Sequence, residues 1–423
     1  MAKSTAEQIF ETVTGDAAQG DDLHKDAAAR EPGNFLRHVM SLGASKIADG
    51  LIDPKLVLSW LLTHLGAGAF WIGLLVPVRE AGALLPQLLT SPVITRARTR
   101  KWFWAGGAFV QGAMAGLIAL AGLTLEGRTA GIVIVGLLAV LALARSVCSA
   151  SYKDVLGKTV GKSHRGTATG VASSAAAVGV IVFAGVLLLQ IGDRTALVIG
   201  AIALAACLWI IAAAIFATMK EQPSEGEDTH TAAQFGLLRD DPQLVRFIAV
   251  RSLLVGTALA PPYLVMLQPD SAFGQLGALV LASAVASFVS SYIWGRLSDR
   301  SSRRVLQLAG LTGGIALAVT VMLDLLGLST LSGVLPVMLF GLMIAYHGVR
   351  QGRSTHLVDM ANEGDRASYT ALSNTIVGLV LIIAGAGFAG VAAISVPLVI
   401  GLFAAMCFAA AIIATGLHEV QNA

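Results

Sequence analysis

Charge is what this sequence has least of. Only 13% of its 423 residues are Asp, Glu, Lys or Arg, against about 25% charged residues in soluble domains. That scarcity excludes an ordinary water-soluble globule. The net charge of +3 is too small to point to a nucleic-acid partner. Cysteine is scarce too. Cys148, Cys207 and Cys407 fall in apolar segments, too far apart in sequence for a metal motif, and read as packed thiols. No nucleophile–base arrangement, metal-ligand spacing or phosphate loop is present, so neither an enzyme nor a bound cofactor or metal is expected. Residues 1–33 are polar and acidic, without the apolar core of a cleavable signal peptide.

What remains is apolar. The chain is 55% hydrophobic with a mean hydropathy of +0.75, and its 46 glycines suit helices that pack closely in a bilayer. Uncharged stretches of about 20 residues, enough to cross the hydrocarbon core, recur from residue 34 onward. They predict spans at 35–62, 68–92, 102–125, 130–155, 167–190 and 196–219, then at 244–267, 273–296, 305–327, 331–357, 368–390 and 395–417. Pro261-Pro262 must break or bend the seventh. The expectation is an all-α polytopic membrane protein of twelve transmembrane helices.

The distribution of Lys and Arg orients it. Alternate loops hold Arg96, Arg98, Arg100 and Lys101; Lys158, Lys162 and Arg165; and Arg296, Arg300, Arg303 and Arg304. The opposite loops hold only Arg128 and Arg194. Both termini are therefore expected in the cytoplasm. Residues 1–33 read as a mobile cytoplasmic tail, with a short amphipathic turn around Ile9 and Phe10. Residues 220–243 read as a cytoplasmic linker between bundles at 34–219 and 244–417, and 418–423 as a C-terminal tail. Arg165-Gly166-Thr167 parallels Arg366-Ala367-Ser368, and the basic run from Arg96 parallels that from Arg300. Two six-helix repeats that start on the same side of the membrane are parallel repeats.

The first span is apolar except for one stripe. Lys46, Asp49 and Asp53 are spaced i, i+3 and i+7 and share a helical face. A charge at the bilayer centre costs about 2.5–3.5 kcal/mol on insertion scales, so this face must point into protein or a water-filled cavity. The other interior bases are Arg79, Arg145, Arg251 and Arg350, with Lys153 and Arg353 nearer the cytoplasm. The interior acids are Asp49, Asp53 and Glu80, and His347 is charged or neutral with pH. An excess of buried cations needs counter-charges, and a substrate carboxylate, phosphate, sulfate or sulfonate would supply them; arginine's planar fork suits such groups.

Lys46, Arg79, Arg145, Arg251, His347 and Arg350 are thus candidate substrate ligands, with Tyr369 and Asn374 as hydrogen-bonding partners. Asp49, then Asp53 and Glu80, are candidates for proton coupling. Each has a structural alternative. Lys46–Asp49 could be an intrahelical pair, Arg79 and Glu80 could bridge to other helices, and Lys153 and Arg353 could snorkel to the surface.

The run Gly295-Arg296-Leu297-Ser298-Asp299-Arg300-Ser301-Ser302-Arg303-Arg304 carries a glycine, an aspartate four residues on, and a basic cluster. It resembles the signature between the eighth and ninth helices of the major facilitator superfamily (MFS) of secondary transporters. The resemblance extends over residues 34–417. The first-half copy is degenerate, with Ser91 at the glycine position and Thr95 at the aspartate position. The resemblance implies a central cavity lined by the first, fourth, seventh and tenth helices. It also implies conformational gating by Gly295, Asp299, Arg300, Arg303 and Arg304, and Arg145 resembles the family's intramembrane arginine. The Gly-Pro pair of many exporters is absent at Val178-Gly179-Val180-Ile181.

The expected protein is a monomeric secondary transporter in a bacterial cytoplasmic (inner) membrane. It would move a small organic anion by alternating access, with proton coupling as an option, and would bind lipid but no nucleic acid. The alternative is a proton-driven exporter of drugs or amphipathic compounds, for which the cavity would be rich in Phe, Met and Trp. A third reading is a non-transporting receptor or scaffold.

Overall fold

The computed structural model describes residues 4–15, 23, 25–86, 90, 93–94, 96–189, 192–223, 236–267, 269–331, 333–361 and 366–421. All regular structure among them is helical. Before the linker come α1 (Thr5–Thr14), α2 (Lys25–Ala28), α3 (Glu31–Leu51), α4 (Val57–His64) and α5 (Ala69–Leu84). They are followed by α6 (Lys101–Thr124), α7 (Gly127–Thr159), α8 (Arg165–Leu188) and α9 (Arg194–Ala217). After it come α10 (Leu237–Asp240), α11 (Pro242–Leu259), α12 (Pro261–Leu267) and α13 (Pro269–Ser298). The chain ends with α14 (Ser302–Leu325), α15 (Val334–Met360), α16 (Arg366–Ala392) and α17 (Val396–Ala414).

Ten helical stretches among the described residues are long and apolar enough to cross a membrane: α6 to α9, α11 with α12, and most or all of α13 to α17. The expected break at Pro261 is present, dividing α11 from α12. The expected first and second spans are not among the ten. The first, predicted as one helix over 35–62, is two. Helix α3 stops at Leu51 and α4 starts at Val57, and Pro54 in the gap lacks the N–H a continuous helix needs. Of the second, expected over 68–92, the described residues include the 16 of α5, which carry Pro77, Arg79 and Glu80, and 87–89 and 91–92 lie outside them.

Helix α3 packs on α8 and α9, α6 lies between α7 and α9, and α5 packs on α7. Beyond the linker, α14 lies between α15 and α17, α13 packs on α15, and α11 packs on α17 and α16. Two seams join these groups, α5 against α16 and α8 against α13. Both seams depend on missing side chains. A Cβ on Gly385 would stand 2.3 Å from Pro77 Cγ, and one on Gly277 would stand 2.8 Å from the Leu188 nitrogen. No real Cβ tolerates either approach, so glycine lets the backbones meet. Gly295, which opens the signature run, faces open space instead.

The N-terminal tail is more ordered than its composition suggested. In α1, Ser4 and Glu7 form a reciprocal capping box. Phe10 is fully buried, edge-on to Phe35 at 5.1 Å and to His164 at 4.9 Å, while Ile9 is exposed. Beneath it, the buried Glu31 accepts from the Gly161 amide at 2.8 Å and pairs with His164 Nδ1 at 3.0 Å. One aromatic side chain thus holds α1. Phe10→Ala removes about 3–5 kcal/mol of burial, more than a ten-residue helix can spare. Limited proteolysis should then cut between α1 and α3 several-fold faster than in the wild type. An unchanged cleavage rate would mean that other contacts hold α1.

Candidate functional site

The stripe on α3 is built as its spacing predicts, but its partners differ. Asp49 Oδ1 accepts from Arg79 Nη2 of α5 at 2.6 Å, and its Oδ2 pairs with Arg145 Nη1 of α7 at 2.8 Å. Arg145 also donates to Ser45 Oγ at 3.4 Å, which accepts from Trp209 Nε1 at 3.1 Å. The Lys46–Asp49 pair does not form; Lys46 Nζ donates instead to Ser173 Oγ on α8 at 2.5 Å. Asp49 therefore ties three helices together with two guanidiniums on one carboxylate.

Asp53 has a local task. Its Oδ1 accepts from the Lys55 amide at 2.8 Å and shapes the turn between α3 and α4, as an aspartate does in an Asx-turn. That turn delivers Lys55, which the sequence reading did not place among the interior bases. Lys55 is buried, 3.5 Å from Glu80 Oε1 and 3.7 Å above the centroid of the Tyr346 ring on α15. A signal was available: Lys55 is the sole Asp, Glu, Lys or Arg in residues 54–68.

On α15, His347, Arg350, Gln351 and Ser354 share one face (i, i+3, i+4, i+7), as expected. With Arg353 and with Ser287, Ser290 and Ser291 of α13 they line a cavity of about 420 Å³. A smaller recess shares Arg350 and Arg353 and reaches Glu80, Tyr346 and apolar side chains of α11 and α16. Arg350 lies within electrostatic reach of both Lys46 and Glu80, and Arg353 within reach of Glu80. The charged ends of α3, α5 and α15 therefore converge. Among the described residues, Arg350 and Arg353 form no ion pair.

Three expected ligands are committed elsewhere. Arg251, buried on α11, donates to Ser373 Oγ and, at 3.1 Å, to Asn374 Oδ1, both on α16. Asn374 is thereby a partner of Arg251, and both lie outside the linings of the two cavities. Tyr369 Oη donates at 2.8 Å to Asp241, whose other carboxylate oxygen caps the first turn of α11. Each of the three thus makes a side-chain bond within the protein in this conformation. Arg79, too, is occupied by Asp49.

The signature turn is tied to the chain end. Arg303 Nη1 donates to the Leu417 carbonyl at 3.3 Å, its Nε lies 3.6 Å from Glu419, and Ser301 Oγ donates to the same carboxylate at 2.6 Å. Asp299, Arg300 and Arg304 are exposed, and Asp299 pairs with nothing among the described residues. The corresponding loop of the first half is fastened in the same way. Glu221, just past α9, accepts from the Arg100 and Lys101 amides at 3.0 and 2.8 Å, and Arg100 pairs with Asp154. Ser91 and Thr95 lie outside the described residues.

No family profile and no curated relative matches the sequence. Solved structures do. A mutant of the nucleoside transporter NupG superposes with a TM-score of 0.70 at 12% identity, over 91% of this chain and 100% of that one. A D-xylose–proton symporter gives 0.69 at 11% identity, over 92% and 98%. The xylose transporter XylE from E. coli, in a partially occluded inward-open conformation, gives 0.66 at 12% identity, over 92% and 99%. With that match across nearly the whole chain, the two glycine seams and the helix order above, the protein has the fold of the major facilitator superfamily of membrane transporters.

Proposed function

We propose that the chain is a secondary active transporter for a small organic anion, one bearing a carboxylate, phosphate, sulfate or sulfonate group. It would work by alternating access in a bacterial inner membrane, as a monomer. Twelve spans would form two parallel six-helix repeats, at 34–219 and 244–417, with both termini and the 220–243 linker cytoplasmic; α3 with α4, and α5, would supply the first two. Gly295, the exposed charges of Asp299, Arg300 and Arg304, and the tethered Arg303 would gate the cytoplasmic side.

One observation carries the substrate class. Among the described residues Arg350 and Arg353 face a polar cavity without an ion-pair partner, while the nearby carboxylates of Asp49 and Glu80 already hold Arg79, Arg145 and Lys55. Guanidiniums without a counter-charge beside a cavity within the membrane span favour an incoming anion. No Phe, Met or Trp is among the residues that line the larger cavity, which argues against the drug exporter. A thermal-shift screen of the purified protein against mono- and dicarboxylates, sugar phosphates, sulfonates, zwitterions and cationic drugs tests this. Stabilisation follows ligand affinity. Anions are expected to raise the midpoint; a response to cations or neutral lipophiles alone would sink the reading.

For proton coupling, Glu80 is the stronger candidate. All of Asp49's partners lie before the linker and would move with it as one body. Glu80 has Lys55 on one side and, from beyond the linker, Arg350 and Arg353 on the other. Rocking about the two seams changes the electrostatic surroundings of Glu80 and leaves those of Asp49 intact, and neighbouring charges set a carboxyl's proton affinity. In proteoliposomes, Glu80→Gln should abolish accumulation driven by a pH gradient and spare counterflow exchange. Gradient-driven accumulation at the wild-type level would remove Glu80 from the coupling path.

A further inference from the structure

The larger cavity has two facing stripes, and their hydrogen-bonding capacities differ. On α15, Arg350 and Arg353 can only donate. On α13, Ser287, Ser290 and Ser291 fall at i, i+3 and i+4 and share a face. Ser291 Oγ donates its proton to the Ser287 carbonyl at 2.9 Å, and on the opposite stripe Ser354 Oγ donates to the Gln351 carbonyl at 2.9 Å. What these two hydroxyls still present to the cavity is lone pairs. Ser290 is 1% exposed, and its Oγ has no hydrogen-bond partner among the described residues. A buried hydroxyl left unpaired costs about 1–3 kcal/mol, so Ser290 is unsatisfied until something enters beside it.

A row of small residues could simply let α13 approach α15. That account leaves the volume of about 420 Å³ unexplained, because close packing would abolish it. It also leaves Ser290 without a partner. Ligand sites are ordinarily lined mostly by apolar side chains with a few polar groups. This one is lined by Ser, Gln, His and Arg throughout, so it offers an alkyl chain nothing to bury against.

The two stripes together specify a ligand. One end must accept from guanidiniums, which an oxyanion does. The remainder meets Ser291 and Ser354, whose protons are already committed, so it must donate to their oxygens, which a carboxylate or sulfonate cannot do and a mostly dianionic phosphate does little at neutral pH. Hydroxyl groups can. An ammonium group could donate as well, but it would sit beside two unpaired arginines.

We propose that the substrate is a polyhydroxylated organic anion, its charged group held by Arg350 and Arg353 and its hydroxyls by Ser287, Ser290 and Ser291. This rests on the organic-anion reading above and narrows it. Recognition of hydroxyls by buried polar groups is also sharply selective, since an analogue without them leaves those groups unpaired.

The test compares matched ligands by titration calorimetry on the detergent-purified protein. Gluconate and glucose 6-phosphate carry charge and hydroxyls, hexanoate and hexanesulfonate carry charge alone, and glucose and sorbitol carry hydroxyls alone. At least one of the first pair should bind ten-fold or more tighter than any member of the other pairs. Equal binding by hexanoate or hexanesulfonate would overturn the hydroxyl inference and leave the anion reading standing. Tighter binding by glucose or sorbitol would overturn both, and so would no binding by any probe. A Ser290→Ala, Ser291→Ala double variant should weaken the hydroxylated anion at least several-fold and leave hexanoate binding unchanged. Equal losses for both ligands would mean that the serines serve packing alone. Ser→Ala removes one oxygen and keeps the helix, and a wild-type melting midpoint without ligand would confirm that the variant folds.

Discussion

Asp49→Ala is expected to cost the protein up to about 3–5 kcal/mol of stability, the range for removing one partner of a fully buried ion pair, since its carboxylate is 20% exposed. The change leaves Arg79 and Arg145 facing each other across the space their shared carboxylate held, at 2.6 and 2.8 Å in the native structure. The fluorescence-detected melting midpoint should fall steeply, and the yield of monodisperse protein with it. The pairwise nature of the loss is checked by a cycle. Adding Arg79→Ala to Asp49→Ala should cost much less than the sum of the two single changes, because each already removes the interaction. Additive losses would show that Asp49 and Arg79 act independently. Transport by any Asp49 variant is then interpretable only beside its midpoint, which is why Glu80 makes the cleaner coupling test.

The second large effect is on binding. Arg350→Ala removes a charge-assisted contact worth about 1.5–3 kcal/mol, which corresponds to a rise in Kd of roughly 10- to 150-fold. Arg350→Lys should recover part of that loss, since the charge returns without the bidentate fork. Whichever anion the thermal-shift screen identifies is the ligand to titrate. Undiminished affinity in Arg350→Ala would remove this residue from the site. Arg251→Ala makes the contrast. Its bonds to Ser373 and Asn374 join α11 to α16, so it should lower the melting midpoint and leave the Kd of surviving protein near the wild-type value.

The fold was legible because its strongest cues are long and local. Runs such as 166–192 and 367–417 hold no charge at all, and a bilayer permits few shapes for them other than helices. Pro261-Pro262 marked a break by its own chemistry. The break at Pro54 was harder to see, since Asp53 and Lys55 beside it read as part of a charged stripe. Only the turn shows that Asp53 accepts from the Lys55 amide. The docking of α1 was also out of reach, for it rests on Phe10 meeting Phe35 and His164, residues distant in sequence.

Periodicity found the faces of the site but could not pair them. The spacing of Lys46 and Asp49 suits an intrahelical bridge, yet two arginines from other helices bind Asp49 more tightly than one lysine on its own helix. Arg350 and His347 were singled out as polar groups on a helix face with nothing nearby in sequence to partner them, and both line the larger cavity. Tyr369 and Asn374 share that isolation in sequence. Their partners, Asp241 and Arg251, lie more than 100 residues away, and no local rule reaches that far. The serines of α13 drew no notice, since Ser-x-x-Ser-Ser in a span reads as tight packing until a cavity is seen beside it.

Lys55 contacts both sides of the molecule. Its ammonium is held by Glu80, before the linker, and by the face of Tyr346, beyond it. If the halves rock apart on the side where these groups meet, it can follow only one of them. A cation over an aromatic ring is worth about 0.5–2 kcal/mol, and that amount enters the barrier to opening, where about 1.4 kcal/mol is a factor of ten in rate. On the transport reading Lys55 would therefore work on turnover and not on affinity, setting how long a carrier dwells in this conformation before release.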